Sequence, residues 1–114
     1  MTDVTKRYRQ LMTEIGEWHK QTFPNATLAG QLAKLEEELN EFKNAPLGQR
    51  SEELADIFIV LAGLRNFDSS IGRDYEQMFI WARRIKGFFP SLVEKMEKNK
   101  QRNWKEVRPG EYHH

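Results

Sequence analysis

Four acidic residues carry the chemistry most readily read from this sequence. Glu38 and Glu41 stand three apart, and so do Glu53 and Asp56. That spacing puts both members of each pair on one face of a helix, about one turn apart. A single such pair is common on a solvated helix and says little. The two pairs together say more, because both lie on the same rotational side of their helices' apolar stripes. If the two helices pack antiparallel, stripe to stripe, all four carboxylates converge at one edge of the contact. Without a cation they would repel one another, and some would ionise only at raised pH. Hard oxygen donors of this kind suit Mg²⁺, which is held by carboxylates together with phosphate oxygens and water.

The elements that must position these residues are helices. Four or five helical segments are legible, with no strand pattern. The first covers residues 4–22, with Tyr8, Leu11, Met12, Ile15 and Trp18 at helical spacing, and Phe23-Pro24-Asn25 ends it. The second covers residues 27–43 and carries the stripe Leu28, Leu32, Leu35, Leu39 and Phe42. A turn at residues 44–48 follows, then Ser51 as an N-cap with Glu52 and Glu53 in the first turn. The third helix continues through Leu54, Ile57, Phe58, Leu61 and Leu64 to about residue 66. After a loop at residues 68–72, a fourth helix over residues 74–87 carries Tyr75, Met78, Phe79, Ala82 and Ile85. Phe88-Phe89-Pro90 breaks it, and a last helix spans residues 91–102. Short connections favour antiparallel neighbours, so the expected fold is an all-α antiparallel four-helix bundle with a short extra C-terminal helix. Residues 1–104 form one domain, and residues 105–114 an extended tail in which Pro109-Gly110 argues against further helix.

The bulk composition narrows the setting. A chain of 114 residues with 39% hydrophobic and 31% charged residues makes one globular domain with a small core. A unit of this size often completes its core with a second copy, so a homodimer or homotetramer is expected. Cysteine is absent, which excludes disulfides and thiolate metal sites. No apolar run has transmembrane length and no signal-peptide segment opens the chain, so no membrane association and a cytoplasmic location are expected. The net charge is +1, but acids gather at residues 36–41 and 52–56, and bases at Lys95, Lys98, Lys100, Arg102, Lys105 and Arg108. Such a split fits a metal-bound polyphosphate, with acids for the cation and bases for the anion. The closing His113-His114 is assigned no function.

The stretches Lys34-Leu35-Glu36-Glu37-Glu38-Leu39-Asn40-Glu41-Phe42 and Glu52-Glu53-Leu54-Ala55-Asp56-Ile57-Phe58 resemble the MazG-like all-α nucleotide pyrophosphohydrolases. The hallmark of that family is E-x-x-E, a spacer, then E-x-x-D; the spacer here is short. Glu17-Trp18-His19-Lys20-Gln21-Thr22-Phe23-Pro24 and Lys95-Met96-Glu97-Lys98-Asn99-Lys100-Gln101-Arg102-Asn103-Trp104 look like the phage and bacterial dATP/dGTP diphosphohydrolase branch. The resemblance implies that Glu38, Glu41, Glu53 and Asp56 ligate Mg²⁺, with Mn²⁺ as a substitute. It implies water attack on the α-phosphorus of a nucleoside triphosphate, giving monophosphate and pyrophosphate. The metal would lower the pKa of the attacking water. Glu41 or Glu53 would take the proton.

The rest of the substrate needs cations and a surface for the base. Lys34 precedes Glu38 by one turn, where it either reaches a phosphate or pairs with Glu38. Lys98 and Arg102 are four apart near the end of the chain and are candidate phosphate ligands, Arg102 as a bidentate one. Trp18, His19, Asn40 and Asn99 are candidates for base or sugar contacts, with Trp81 and Trp104 as further aromatic platforms. Two other functions remain open. One is a non-enzymatic helical interaction or regulatory protein. The other is a nucleic-acid-binding module using the basic C-terminal segment, although that segment has no recognition motif and nucleic acid is not the expected partner.

Overall fold

The computed structural model describes residues 3–108 and 111–113, without the side chains of residues 3–5, 72–76, 108, 111 and 113. Tyr75, Arg108, Pro109, Gly110, His113 and His114, singled out above, therefore lie wholly or in their side chains outside the described residues. The fold is all-α apart from one small hairpin. Its helices are α1 (Asp3–Thr22), α2 (Leu28–Asn44), α3 (Arg50–Leu64), α4 (Ile71–Ala82) and α5 (Phe88–Gln101). No described helix is long and apolar enough to cross a membrane.

The centre of the molecule is α3, against which α1, α2, α4 and α5 all pack. The reason is in its sequence. Ala55, Ile57, Phe58, Ile59, Val60, Ala62, Gly63 and Leu64 are all buried, so α3 is apolar around most of its circumference. A helix of that kind is stable only when surrounded. The one-sided stripe expected from Leu54, Ile57, Phe58, Leu61 and Leu64 understates this. Tyr8, Met12 and Ile15 of α1, Phe79 and Ala82 of α4, and Phe88, Leu92 and Met96 of α5 complete the core.

The helix ends correct several expectations. Thr27 caps α2, its hydroxyl accepting from the Gly30 N–H at 3.0 Å. Ser51 is not a cap: a 3₁₀ turn at Leu47–Gln49 leads directly into α3, whose N-cap is Gln49. The Ser51 hydroxyl instead donates to the Lys86 carbonyl at 2.9 Å. The fourth helix starts and stops earlier than expected. The chain leaves it through turns to Gly87, whose φ of 82° suits a residue without a Cβ. Phe88-Phe89-Pro90 does not break a helix but opens α5, because Pro90 falls in the first turn where no intrahelical donor is needed.

The C-terminal tail is extended but not free. Strands β1 (Lys105–Arg108) and β2 (Glu111–His113) pair antiparallel, with Glu106 opposite Tyr112. In the sequence, a Pro-Gly dipeptide between two short runs was the available signal for a hairpin.

Candidate metal centre and cleft

The packing of α2 differs from the stripe-to-stripe arrangement expected. Leu28, Leu32 and Leu39 stay 43%, 49% and 48% exposed, and the one residue α2 buries is Glu38. The helix meets α3 through the face that carries Glu38, with Leu35 and Phe42 half-buried beside it, while Leu28, Leu32 and Leu39 face outward. The carboxylates still converge, on the contact face itself and not at its edge. Ligand oxygens of Glu38, Glu53 and Asp56 lie within 4.8 Å of one another. Oxygens around an octahedral ion bound at 2.0–2.1 Å are about 3 to 4 Å apart, so small side-chain movements suffice to close on Mg²⁺. Glu41 is exposed, lines the same cleft and stands within hydrogen-bonding reach of Glu38 and Glu53.

The trio is electrostatically unsatisfied. Glu38 Oε2 and Glu53 Oε2 are buried without a hydrogen-bond donor among the described residues. Burial, then the charge of Asp56, pushes the Glu38 pKa up to about 7, with Lys34 acting against the rise. Burial likewise raises Glu53, helped by Asp56 and Glu41. Burial also raises Asp56, outweighing the pull of Lys95 and Arg102. A divalent cation would supply the missing positive charge, and oxygen-only donors suit Mg²⁺ or Mn²⁺.

The carboxylates open onto a cleft of about 840 Å³ between α2 and the α1, α3 and α5 helices. Three cations line it. Lys34 Nζ lies 3.4 Å from Glu38, so the ion pair and the cleft-facing position occur together. Lys95 Nζ lies 3.4 Å from Asp56. Arg102 donates to Asn99 Oδ1 at 2.9 Å. Lys95 is the cation that sequence reasoning passed over; it precedes Asn99 by four and Arg102 by seven, on the same face of α5. Lys98 is on a different face, pairs with Glu94 at 3.7 Å and does not line the cleft. Asn40 also falls outside it, its carbonyl accepting from Asn44. Trp81 is 76% exposed on α4, away from the cleft.

Trp18, His19, Asn99 and Trp104 do line the cleft. His19 is buried, because it continues the Tyr8, Met12, Ile15 stripe of α1. Burial holds its imidazole below the ordinary pKa, against the opposite pull of Gln31. The ring is therefore neutral at pH 7, and Nε2 meets Gln31 Oε1 at 3.0 Å. With Nε2 as donor, the Gln31 NH₂ remains for the cleft. Gly63 of α3 makes room for this ring, since a Cβ there would fall 2.6 Å from His19 Cδ2. Gly63→Ala is expected to destabilise the fold by about 1–3 kcal/mol through displacement of the pinned imidazole, read as a lowered thermal midpoint. An unchanged midpoint would show that His19 has room to move.

No protein-family model, curated protein or solved structure matches the chain.

Proposed function

We propose that the chain is a Mg²⁺-dependent nucleoside triphosphate pyrophosphohydrolase, with α1, α2, α3 and α5 as a MazG-like four-helix unit. The observation that carries this reading is the convergence of Glu38, Glu53 and Asp56, with one buried oxygen each of Glu38 and Glu53 lacking a donor, beside Lys34, Lys95 and Arg102 on one cleft. Acids for a cation and bases for a polyphosphate are what a metal-bound triphosphate requires. Both basic residues of α5 outside the cleft are matched by acids along the helix, Lys98 by Glu94 and Lys100 by Glu97. That pairing leaves a nucleic-acid surface little free charge.

When bound, Mg²⁺ supplies Lewis-acid stabilisation of the phosphate charge and a lowered pKa for water. Glu38, Glu53 and Asp56 would hold it. Glu41 stands outside that trio and is the carboxylate left to accept a proton from the attacking water. The water oxygen bonds to the α-phosphorus, the bond from that phosphorus to the bridging oxygen breaks, and pyrophosphate leaves. Lys95 and Arg102 would steady the phosphates, Lys95 from its present position 3.4 Å from Asp56.

A second copy of the chain completes the assembly as a homodimer or homotetramer, seated on the leucine stripe of α2. The test of the activity is incubation with a panel of ribo- and deoxynucleoside triphosphates, dATP and dGTP first, with and without Mg²⁺. Metal-dependent release of pyrophosphate and monophosphate, lost in Asp56→Ala, is expected. Release of orthophosphate would replace α-attack with another phosphate chemistry on the same carboxylates. No turnover by folded, metal-loaded protein would favour a helical interaction protein.

A further inference from the structure

The cleft has a second wall that the acidic site does not use. The C-terminal hairpin folds back onto the end of α1. The Tyr112 hydroxyl accepts from the Asn25 backbone N–H at 3.1 Å, and Glu106 Oε1 accepts from Asn25 Nδ2 at 3.4 Å. These bonds seat the hairpin beside Phe23, which is buried at the centre of an aromatic cluster. Trp18, Trp104 and Tyr112 surround it with ring centroids at 5.4, 5.1 and 4.8 Å. The three outer rings are only half-buried, and all line the cleft that holds the carboxylates. Rings present only to fill a core would be covered on every side. These keep one side open to the cleft.

Trp104 is also held in place relative to the cations. Its indole N–H donates to the Asn99 carbonyl at 2.9 Å, while the Asn99 side chain accepts from Arg102. One buried residue therefore fixes an aromatic ring and a guanidinium two positions apart, both on the cleft. A phosphate ester carrying a planar base needs that pairing.

Resting on the pyrophosphohydrolase reading, we propose that Trp104 and Tyr112, backed by Phe23, form the nucleobase subsite, so that the C-terminal hairpin is a working part of the binding cleft. The base stacks on this wall while the triphosphate runs from Arg102 toward the carboxylates. Stacking of a base on an aromatic side chain is worth enough to change affinity about 5- to 100-fold.

The test is calorimetric titration of the full chain with two probes in the presence of Mg²⁺. They are inorganic tripolyphosphate and the α,β-imido analogue of dATP, which resists cleavage. Trp104→Ala and Tyr112→Ala are each expected to weaken the analogue about tenfold and to leave tripolyphosphate unchanged, and Trp104→Phe to retain most of the affinity. Retained tripolyphosphate binding reports that each variant is folded; Tyr112→Ala leaves the Asn99 contacts intact should Trp104→Ala misfold. Equal binding of the two probes to the unsubstituted chain, or no loss of the analogue in either variant, would overturn the base subsite alone. If neither probe binds the unsubstituted chain, the proposed function falls and this proposal with it.

Discussion

Glu38→Gln is expected to make the metal-free protein more stable at pH 8 while reducing Mg²⁺-dependent hydrolysis by at least about 10³-fold. The two effects share one cause. The Glu38 carboxyl, with its pKa raised to about 7, holds its proton in the folded chain over a range where the unfolded chain has lost it. The folded state thus binds more protons between its ordinary value of 4.5 and about 7. Its contribution is fully present below that window and is lost as pH rises through it. The loss amounts to at most about 3 kcal/mol once the group is ionised in both states. Glutamine cannot ionise, so at pH 8 it avoids this penalty. Thermal unfolding of the metal-free proteins is expected to show a midpoint about 5–10 °C higher for the variant at pH 8, and little difference at pH 5. Added Mg²⁺ reverses the order, raising the midpoint of the unsubstituted protein and leaving the variant nearly unchanged. A variant less stable than the parent at pH 8 would mean that the Lys34 contact already satisfies the ionised carboxylate, and the metal site would lose its electrostatic basis. Such a trade of stability for function is common where like charges are gathered for a ligand.

The carboxylate constellation was legible in the sequence because it depends only on helical periodicity. Glu38, Glu53 and Asp56 come together whether α2 and α3 meet by their leucines or by their acids, as long as the chain reverses between them. The packing that achieves this was not legible in α2, where the leucine stripe is the stronger pattern and the structure leaves Leu28, Leu32 and Leu39 of it outside. It was partly legible in α3, whose unbroken run from Ile57 to Leu64 marks a helix surrounded on all sides. His19 shows the same tension. Its position continues an apolar stripe, but its residue type suggests the surface, and position prevails because Gly63 clears a space and Gln31 offers a partner. Lys95 was passed over for Lys98, which belongs to the same basic run, and only the helical phase relative to Asn99 and Arg102 separates them. The aromatic wall of the cleft depends on contacts between Phe23 and Tyr112, far apart in sequence, which no local pattern encodes.

A double substitution, Leu32→Glu with Leu39→Glu, is expected to convert the proposed assembly to monomers without unfolding the chain. Both side chains are about half exposed, so neither contributes much to the core, and helix content by circular dichroism is expected to persist. Completing the burial of a leucine adds about 1 kcal/mol at this exposure. With both leucines, and Leu28 beside them, repeated across a two-fold axis, the stripe offers roughly 6 kcal/mol to self-association. Placing four carboxylates in that contact removes the gain and adds repulsion, enough to weaken association by more than about 10³-fold. Sedimentation velocity distinguishes the outcomes: a dimer or tetramer for the parent and a monomer for the variant. A monomeric parent at the same concentration, or an unaltered assembly in the variant, would remove the leucine stripe from any interface between copies. The consequence reaches the metal centre. Within one chain α2 buries only Glu38, and the carboxylates it brings to α3 repel those already there. A partner on its outer face would press α2 inward against that repulsion. The monomeric variant is therefore expected to bind Mg²⁺ more weakly than the parent although no ligand is altered, and assembly and metal binding are expected to strengthen each other.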